Sequence, residues 1–335
     1  MNTSSKKVYL LSLILVGAFI PLCTGFYTYA LLTDYSALLG HFGQSAFTDI
    51  FLPLLYMLAI IAFAVFGVLF RTSLTGREYR ASLPSVFAAG FAVLTTLIWL
   101  VSFIPALKNS MGTPLSAVFG VLMVVSALFT IAYLILSILP FAVHTGTMLC
   151  GTVAVLFPLS YAFYAYFDAG FALNSPIKIF DQVTMIALLF FMLAEMRLRF
   201  SAVSEAVFLP VCMAATLLAG SNSIGGLIYM AVEGHPLYAS IMHDFLLFGL
   251  FLYALTRLIS YLIPSIIAKT ASAADTADVH TFEPEAPIHT AQAEAPYAQE
   301  SFDFDANDSA SEAEPAADAP TASESSTDTE ASSEG

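Results

Sequence analysis

The chain has 335 residues, of which 58% are hydrophobic and only 11% are charged, and its mean hydropathy is +0.81. This composition excludes an ordinary soluble globular domain, in which about a quarter of the residues are charged. The net charge of −14 belongs to the C-terminal part, because sixteen of the 25 acidic residues follow Thr270, while residues 1–270 carry all 11 basic residues against nine acidic ones. No basic stripe indicates a nucleic acid partner.

Eight apolar segments follow one another along the chain, and each is long enough to cross a membrane. A helix needs about 20 residues to span the hydrocarbon core of a bilayer. Helices are favoured over barrel strands because the segments do not alternate between apolar and polar residues. The predicted spans 1 to 8 are Val8–Leu32, Ile50–Phe70, Pro84–Leu107, Pro114–Leu139, Thr145–Phe167, Ile179–Met196, Ala206–Val232 and Pro236–Ile263. The sequence therefore predicts an all-α, polytopic integral membrane protein in contact with the lipid bilayer.

An internal repeat relates the two halves of these spans. The sequence PLCTGFYTY at Pro21–Tyr29 returns as PLSYAFYAY at Pro158–Tyr166. Further matches follow in the same order, with Arg71, Leu83, Pro84, Gly112 and Pro140 answering to Arg197, Leu209, Pro210, Gly234 and Pro264. We predict one four-helix repeat over residues 1–140 and a second over 141–268. Because the first copy of the motif lies in span 1, that span is interpreted as a retained helix and not as a cleaved signal peptide.

The parity of the spans and the positions of the basic residues predict the topology. Each repeat has an even number of spans, so the two copies are parallel and not inverted. Basic residues favour the cytoplasmic side, and an internal N-terminus places nine of the 11 there. These nine are Lys6, Lys7, Arg71, Arg77, Arg80, Arg197, Arg199, Arg257 and Lys269, against Lys108 and Lys178 outside. We expect a protein of the cell membrane with both termini in the cytoplasm.

Residues 269–335 differ in composition from the rest of the chain. They are rich in Ala, Glu, Asp, Ser, Thr and Pro and poor in large apolar side chains. Such a segment cannot bury enough surface to offset the entropy of ordering, so it is predicted to be a disordered acidic tail. Two roles remain open, a solvated tail or a motif within Pro296–Asp308 that binds a cytoplasmic protein.

Pro21 and Pro158 lie near the middle of spans 1 and 5, where a proline removes one backbone hydrogen bond and kinks a helix. Corresponding breaks in two halves indicate a binding site near the midplane in transporters. The aromatic residues that follow each proline, including Tyr27 and Tyr164, are interpreted as interfacial side chains with their hydroxyl groups in water.

Polar residues in the predicted spans are concentrated in the second repeat. Glu195 stands at the position equivalent to Leu69, and His243 stands at the position equivalent to Val121. Ionisable residues inside a span are costly and are functional candidates by default. The residues that differ between the copies are therefore the ones to examine for function.

Asn222, His243 and Asp244 form the candidate binding or proton-relay site. The short connection between spans 7 and 8 places the three residues at similar depth on neighbouring helices, roughly 10–12 Å below Pro236 for the histidine and aspartate. A histidine beside a carboxylate binds and releases protons near neutral pH. Alternatively, Asn222 only stabilises the packing of neighbouring helices, as polar residues commonly do in membranes. In that case either His243 or Asp244 faces the aqueous side, because adjacent residues do not share one helix face.

Glu195, Arg197 and Arg257 lie near the predicted inner interface and are interpreted as anchors, with Arg197 or Arg199 pairing with Glu195. Long charged side chains at such positions reach the headgroup region.

No catalytic, metal or cofactor motif is readable. The outward acidic and histidine residues, including Asp181, lack metal-ligand spacing. Cys23, Cys150 and Cys212 form no C-x-x-C pair and are interpreted as packing residues. No G-x-S-x-G sequence occurs. We expect no enzyme activity, no metal and no cofactor.

Two classes of function remain. The first is a carrier or permease of a small solute. The adjacent His243 and Asp244 add the alternative that its transport is coupled to protons. The second is a non-enzymatic membrane sensor or assembly protein that acts through its helices or its acidic tail. The expected partners are accordingly the lipid bilayer, a small solute and a cytoplasmic protein bound by the tail.

Overall fold

The structure, a computed structural model, describes residues 3–36, 40–43, 45–71, 83–110, 114–138, 144–167, 175–199, 205–237 and 241–267. Arg77, Arg80, Pro140, Lys269 and the predicted acidic tail lie outside the described residues. Helices account for nearly all of what is described. They are α1 (Thr3–Thr33), α2 (Leu52–Leu69), α3 (Leu83–Ser110), α4 (Pro114–Ile138), α5 (His144–Ala154), α6 (Leu156–Phe167), α7 (Pro176–Arg199), α8 (Glu205–Glu233) and α9 (Ile241–Ile267).

Eight stretches of the described chain are long and apolar enough to cross a membrane, which confirms the predicted all-α polytopic architecture. They are Lys7–Thr33, Phe47–Leu69, Pro84–Pro105, Leu115–Ser137, Thr145–Phe167, Pro176–Leu198, Ala206–Glu233 and Ile241–Leu262. Three starts differ from the sequence prediction by three or more residues, and the second crossing begins at Phe47 and not at Ile50. The sixth crossing begins at Pro176, because a proline fits at the first position of a helix and the following Lys178 is buried within it. Pro236 lies in the non-helical connection after α8, and the eighth crossing begins at Ile241 instead.

A small antiparallel hairpin marks one end of the bundle, which we call the hairpin end. Strand β1 (Tyr35–Ser36) pairs with strand β2 (His41–Phe42) between α1 and a π-helical turn, Phe47–Phe51, that leads into α2. Gly40 adopts a φ of 66°, a conformation that glycine tolerates without strain. The Ser175 hydroxyl, just before α7, donates to the Gly40 carbonyl over 2.9 Å. The hairpin is thereby attached to the start of α7.

The two repeated prolines have different structural settings. Helix α1 continues through Pro21, which is exposed on the outside of the bundle. The fifth crossing is divided at Val155, between α5 and α6, and Pro158 is buried just after the break. Pro158 has no N–H to donate to the carbonyl of Ala154, and the Thr130 hydroxyl of α4 lies 3.5 Å from that oxygen.

Helix α8 is at the centre of the described bundle. It is the most buried of the eight crossings and packs against α9, α7, α1 and α2. Helix α9 packs in turn against α3 and α1, while α4 packs against α3, α5 and α6. Because α8 and α9 have neighbours on several sides, polar side chains on different faces of these helices become buried. The internal repeat of the sequence stays a prediction.

Candidate functional site

Five side chains from four helices form a hydrogen-bonded cluster, the polar network. It consists of Tyr161 on α6, Asp181 and Thr184 on α7, Asn222 on α8 and His243 on α9. His243 Nε2 lies 2.8 Å from Asp181 Oδ1, and His243 Nδ1 lies 2.7 Å from the Tyr161 hydroxyl. The Asn222 amide donates to Asp181 Oδ1 over 3.2 Å and to Thr184 Oγ1 over 3.4 Å. Within the network, Asp181 therefore joins Asn222 of α8 to His243 of α9.

Four of the five side chains of the network are buried, and Tyr161 is half-buried. The exposed fraction is 1% for Asp181, 0% for Asn222 and 5% for His243. The rings of Tyr161 and His243 are stacked, with centroids 5.1 Å apart. Buried polar groups in proteins are hydrogen-bonded as a rule. The hydrogen bonds between the helices satisfy most of the polar atoms of the network.

The imidazole of His243 can take two protonation states without leaving its place. In the neutral form, Nε2–H donates to Asp181, while Nδ1 accepts from the Tyr161 hydroxyl. When the ring is protonated, Nδ1–H donates and the Tyr161 oxygen accepts. Gain or loss of one proton therefore reverses a hydrogen bond between α6 and α9.

Asp244 is buried separately from the network, although it follows His243 in the chain. Its exposed fraction is 0%, and its carboxylate lies against Gly226 of α8. A Cβ atom on Gly226 would lie 2.6 Å from Asp244 Oδ1, so only glycine allows this approach. Neither carboxylate oxygen has a hydrogen-bond partner among the described residues. Its position in the first turn of α9 places it where the helix dipole favours a negative charge.

Two further polar atoms close to this place are also unpartnered within the described chain. They are the Asn222 Oδ1 atom and the hydroxyl of Tyr27 on α1. The ring of Tyr27 packs against Gly225, and the Tyr27 hydroxyl is within electrostatic reach of Asp181 and Asp244. The prediction that the Tyr27 hydroxyl lies in interfacial water is wrong, because Tyr27 faces α8 and is buried.

The structure corrects two expectations about His243 and Asp244. Neither residue faces the aqueous side, because α9 has neighbours on both of the relevant faces: His243 points to α6 and α7, and Asp244 points to α8. The pair also lies closer to the hairpin end than predicted. Since α9 begins at Ile241, His243 is only two residues, about 3 Å, from the helix start.

Sequence reasoning missed the two residues that join the network together, Asp181 and Tyr161. Asp181 was considered only as an outward metal ligand, and Tyr161, which lies within the repeated segment opposite Thr24, was given no role. A comparison of the two predicted repeats does indicate Asp181. At the offset that relates Glu195 to Leu69, Asp181 stands opposite Leu55, so it is another acidic replacement inside a span.

A second buried polar cluster lies toward the opposite end of the bundle and corrects the anchor prediction. Arg257 Nε donates to Glu195 Oε1 over 2.7 Å, and the Tyr253 hydroxyl donates to the same oxygen over 2.6 Å. Glu195 and Arg257 are both buried, while Arg197 is exposed. Arg197 cannot pair with Glu195 as expected, because residues two apart on a helix point to different sides.

Two cavities lie along α2. A cavity of about 380 Å³ near the hairpin end is lined by Tyr27, Tyr56 and Phe180 among others. A cavity of about 420 Å³ near the opposite end is lined by residues of α2 and α8 together with Arg71. Neither cavity is lined by Pro21, Pro158, Asn222 or Asp244, so neither opens directly onto the predicted site.

In the described part of the chain, no three His, Cys, Asp or Glu side chains converge in a way that could hold a metal ion. Cys23 and Cys212 are buried thiols and Cys150 is half-buried.

Comparisons with protein-family models, with curated proteins and with solved structures find no match for this chain. The class of protein is defined by the fold itself. The chain is a multi-pass α-helical membrane protein with eight apolar crossings among its described residues, and buried charged side chains lie in the sixth and eighth of them.

Proposed function

We propose that this protein is a non-enzymatic, proton-coupled carrier of a small solute. The observation that supports the proposal best is the buried carboxylate of Asp244, which has no hydrogen-bond partner among the described residues and lies beside the His243–Asp181 pair. An ionisable group inside a membrane span is costly to keep, and such groups usually serve a binding or relay role. The pairing with His243 accounts for the burial of the Asp181 carboxylate. No such pairing accounts for the burial of the Asp244 carboxylate.

Protonation at this place would change how helices are held together. The polar network joins α6, α7, α8 and α9, and it contains a histidine that can reverse one of its hydrogen bonds. Binding of a proton to Asp244 would neutralise a charge buried between α8 and α9, and so favour closer packing of the two helices. Release of that proton would favour entry of water or of a polar solute. In this way, proton binding to Asp244 would be linked to the opening of the bundle.

We further propose that the chain resides in the cell membrane with its N-terminus in the cytoplasm. The support comes from the basic residues, which favour the cytoplasmic side. Among the described residues, Lys7, Arg71 and Arg197 lie toward the end opposite the hairpin. The hairpin end then faces outward, and the polar network lies in the outer half of the membrane.

A second candidate is a sensor or assembly protein whose bundle stays closed. It is favoured by one observation: neither of the two cavities is lined by Asn222 or Asp244. In such a protein the buried polar groups would hold the helices in register, and the partner would bind elsewhere.

Cysteine accessibility distinguishes the two candidates without knowledge of the solute. Ser223→Cys places a thiol of similar size at a buried position next to Asn222, in a background in which the native cysteines are replaced by alanine. In a carrier that opens, a membrane-impermeant maleimide should label this thiol in proteoliposomes, and the labelling rate should change with pH. Ser126→Cys, an equally buried site on α4, is the matched control for unfolding. If Ser223→Cys resists labelling at every pH tested, as the closed bundle requires, the carrier proposal is lost.

A further inference from the structure

The cavity near the hairpin end has the form of a cleft between α2 and α7, and we call it the aromatic cleft. It is lined by Tyr27, Asp49, Tyr56, Phe180, Val183 and Leu218, among others. Its volume is about 380 Å³. Met57 and Ile179 also line it and are 60% and 47% exposed, which places the cleft at the outer surface of the bundle. A molecule dissolved in the outer half of the membrane could therefore reach it.

Three aromatic rings form the wall of the cleft. The ring of Phe180 lies between two tyrosines, with centroid distances of 4.6 Å to Tyr27 and 5.1 Å to Tyr56. The hydroxyl of Tyr56 donates to the carbonyl of Cys23 over 3.3 Å, which holds this ring in place. A preformed aromatic surface attracts both apolar groups and cations.

The mouth of the cleft carries a negative charge. Asp49 lies in the π-helical turn, is exposed, and lines the cleft, while no Lys or Arg is among the described residues that line it. Ile60, at the other end of the cleft, lies eleven residues further along the same helical segment, which corresponds to roughly 16 Å. The cleft is thus long, apolar and aromatic inside, with a carboxylate at one end.

We propose that the aromatic cleft binds an amphipathic amine, which is a positively charged ammonium group attached to a single apolar body. The ammonium would pair with Asp49 at the mouth, and the apolar body would lie along Phe180 and the two tyrosines. Binding itself does not depend on the polar network. That such an amine is also the solute that is carried rests on the proposed function.

The structure suggests how the two sites would communicate. Tyr27 lines the aromatic cleft, and its hydroxyl is within electrostatic reach of Asp181 and Asp244. The Tyr27 ring therefore belongs both to the wall of the cleft and to the surroundings of the polar network. A ligand that displaces this ring would bring its ammonium group toward two carboxylates that are otherwise shielded from it.

A diacyl phospholipid fits the same place less well. Its headgroup carries a phosphate, which Asp49 repels and which would find no Lys or Arg among the described lining residues. A single-tailed amine presents only the positive charge.

Direct binding tests the proposal. The purified full-length protein, in a neutral maltoside detergent, is titrated with octyltrimethylammonium, and octyl sulfate and octanol serve as the anionic and neutral probes of equal chain length. We expect the cation to bind about tenfold more tightly than either control. A further arm adds dioleoyl phosphatidylethanolamine, which should fail to displace the cation at equal concentration.

Two variants locate the binding. Asp49→Asn should weaken binding of the cation about threefold, while Glu233→Gln, which alters another exposed carboxylate at the same end, should not. Val183→Trp should fill the cleft and abolish binding, while Val232→Trp, on a lipid-exposed surface outside the cleft, should not.

Equal affinity for the three probes, unchanged binding by Val183→Trp, or displacement of the cation by phosphatidylethanolamine would each overturn the proposal. The result is independent of transport. If the amine binds and Ser223→Cys stays unlabelled, the cleft is a ligand site on a closed protein, and only the carrier proposal fails.

Discussion

The two aspartates of the candidate site differ in what surrounds their carboxylates. Asp181 accepts hydrogen bonds from His243 and Asn222, whereas Asp244 lies against the bare backbone of Gly226. The first carboxylate is held by partners that stabilise its charge. The second has no such partner in the described chain, so a change in its protonation breaks no bond. Asp181 is suited to position the histidine, and Asp244 is suited to exchange a proton.

Neutralising each aspartate should separate these roles. Asp244→Asn keeps the shape of the side chain, so we expect little change in Tm but at least about tenfold slower solute-driven proton movement in liposomes that contain a pH-sensitive dye. Asp181→Asn replaces the charged acceptor of these bonds with a neutral amide and should destabilise the fold by about 1–3 kcal/mol. Glu233→Gln, exposed at the same end, is the control. Proton movement of unchanged rate and pH dependence in Asp244→Asn would contradict the assigned role.

At the scale of helices, small residues set how closely neighbours approach. Gly67 of α2 packs directly on α8, where a Cβ atom would collide with the Pro210 ring and would lie 2.6 Å from the Ala206 carbonyl oxygen. Both neighbours are rigid. No residue larger than glycine therefore fits at this contact, which joins α2 to the central helix α8.

Gly67→Ala should accordingly destabilise the protein by about 1–3 kcal/mol, because α2 must move away from α8. Gly17→Ala is the matched control, since a Cβ atom on this helical glycine would have no neighbour within 4 Å apart from the backbone of its own helix. There, alanine should be neutral or stabilising by up to about 1 kcal/mol. Thermal unfolding of the two variants in detergent checks the contrast, and equal Tm values for both would refute the packing argument.

The pair of Glu195 and Arg257 joins α7 to α9 toward the opposite end from the hairpin. Because both side chains are buried, Arg257→Met leaves a carboxylate without its cation and should cost about 3–5 kcal/mol. Adding Glu195→Gln removes the uncompensated charge, so the double variant should be more stable than Arg257→Met alone. A double-mutant cycle on unfolding free energies measures this, and simple additivity would show that the two charges are not coupled.

At the scale of the whole molecule, the composition divides the chain at about Thr270. The described helices end at Ile267. We expect a variant that ends at Thr270 to remain in the membrane, to unfold at an unchanged Tm and to keep any proton-linked uptake. A sensor or assembly protein that acts through its tail would instead lose its partner in co-purification. Loss of uptake with intact folding would therefore count against the carrier.

The membrane architecture could be predicted because it depends on local properties. A run of apolar residues of sufficient length crosses a bilayer whatever its neighbours are, and all eight predicted spans overlap the eight observed ones. The start at Ile241 is five residues later than predicted, because Pro236 was taken as the opening of a helix but lies in the non-helical connection after α8. Only the ends of helices depend on such details of the connecting chain.

The polar residues were less predictable, because their partners come from distant parts of the chain. The sequence by itself determined that Asn222, His243 and Asp244 are polar groups at neighbouring positions on adjacent apolar helices. Only the tertiary structure decided that His243 pairs with Asp181, that Asp244 does not, and that Glu195 pairs with Arg257 and not with Arg197. The reason is geometric. Successive residues on a helix point about 100° apart, so the packing of the helices decides which side chains meet.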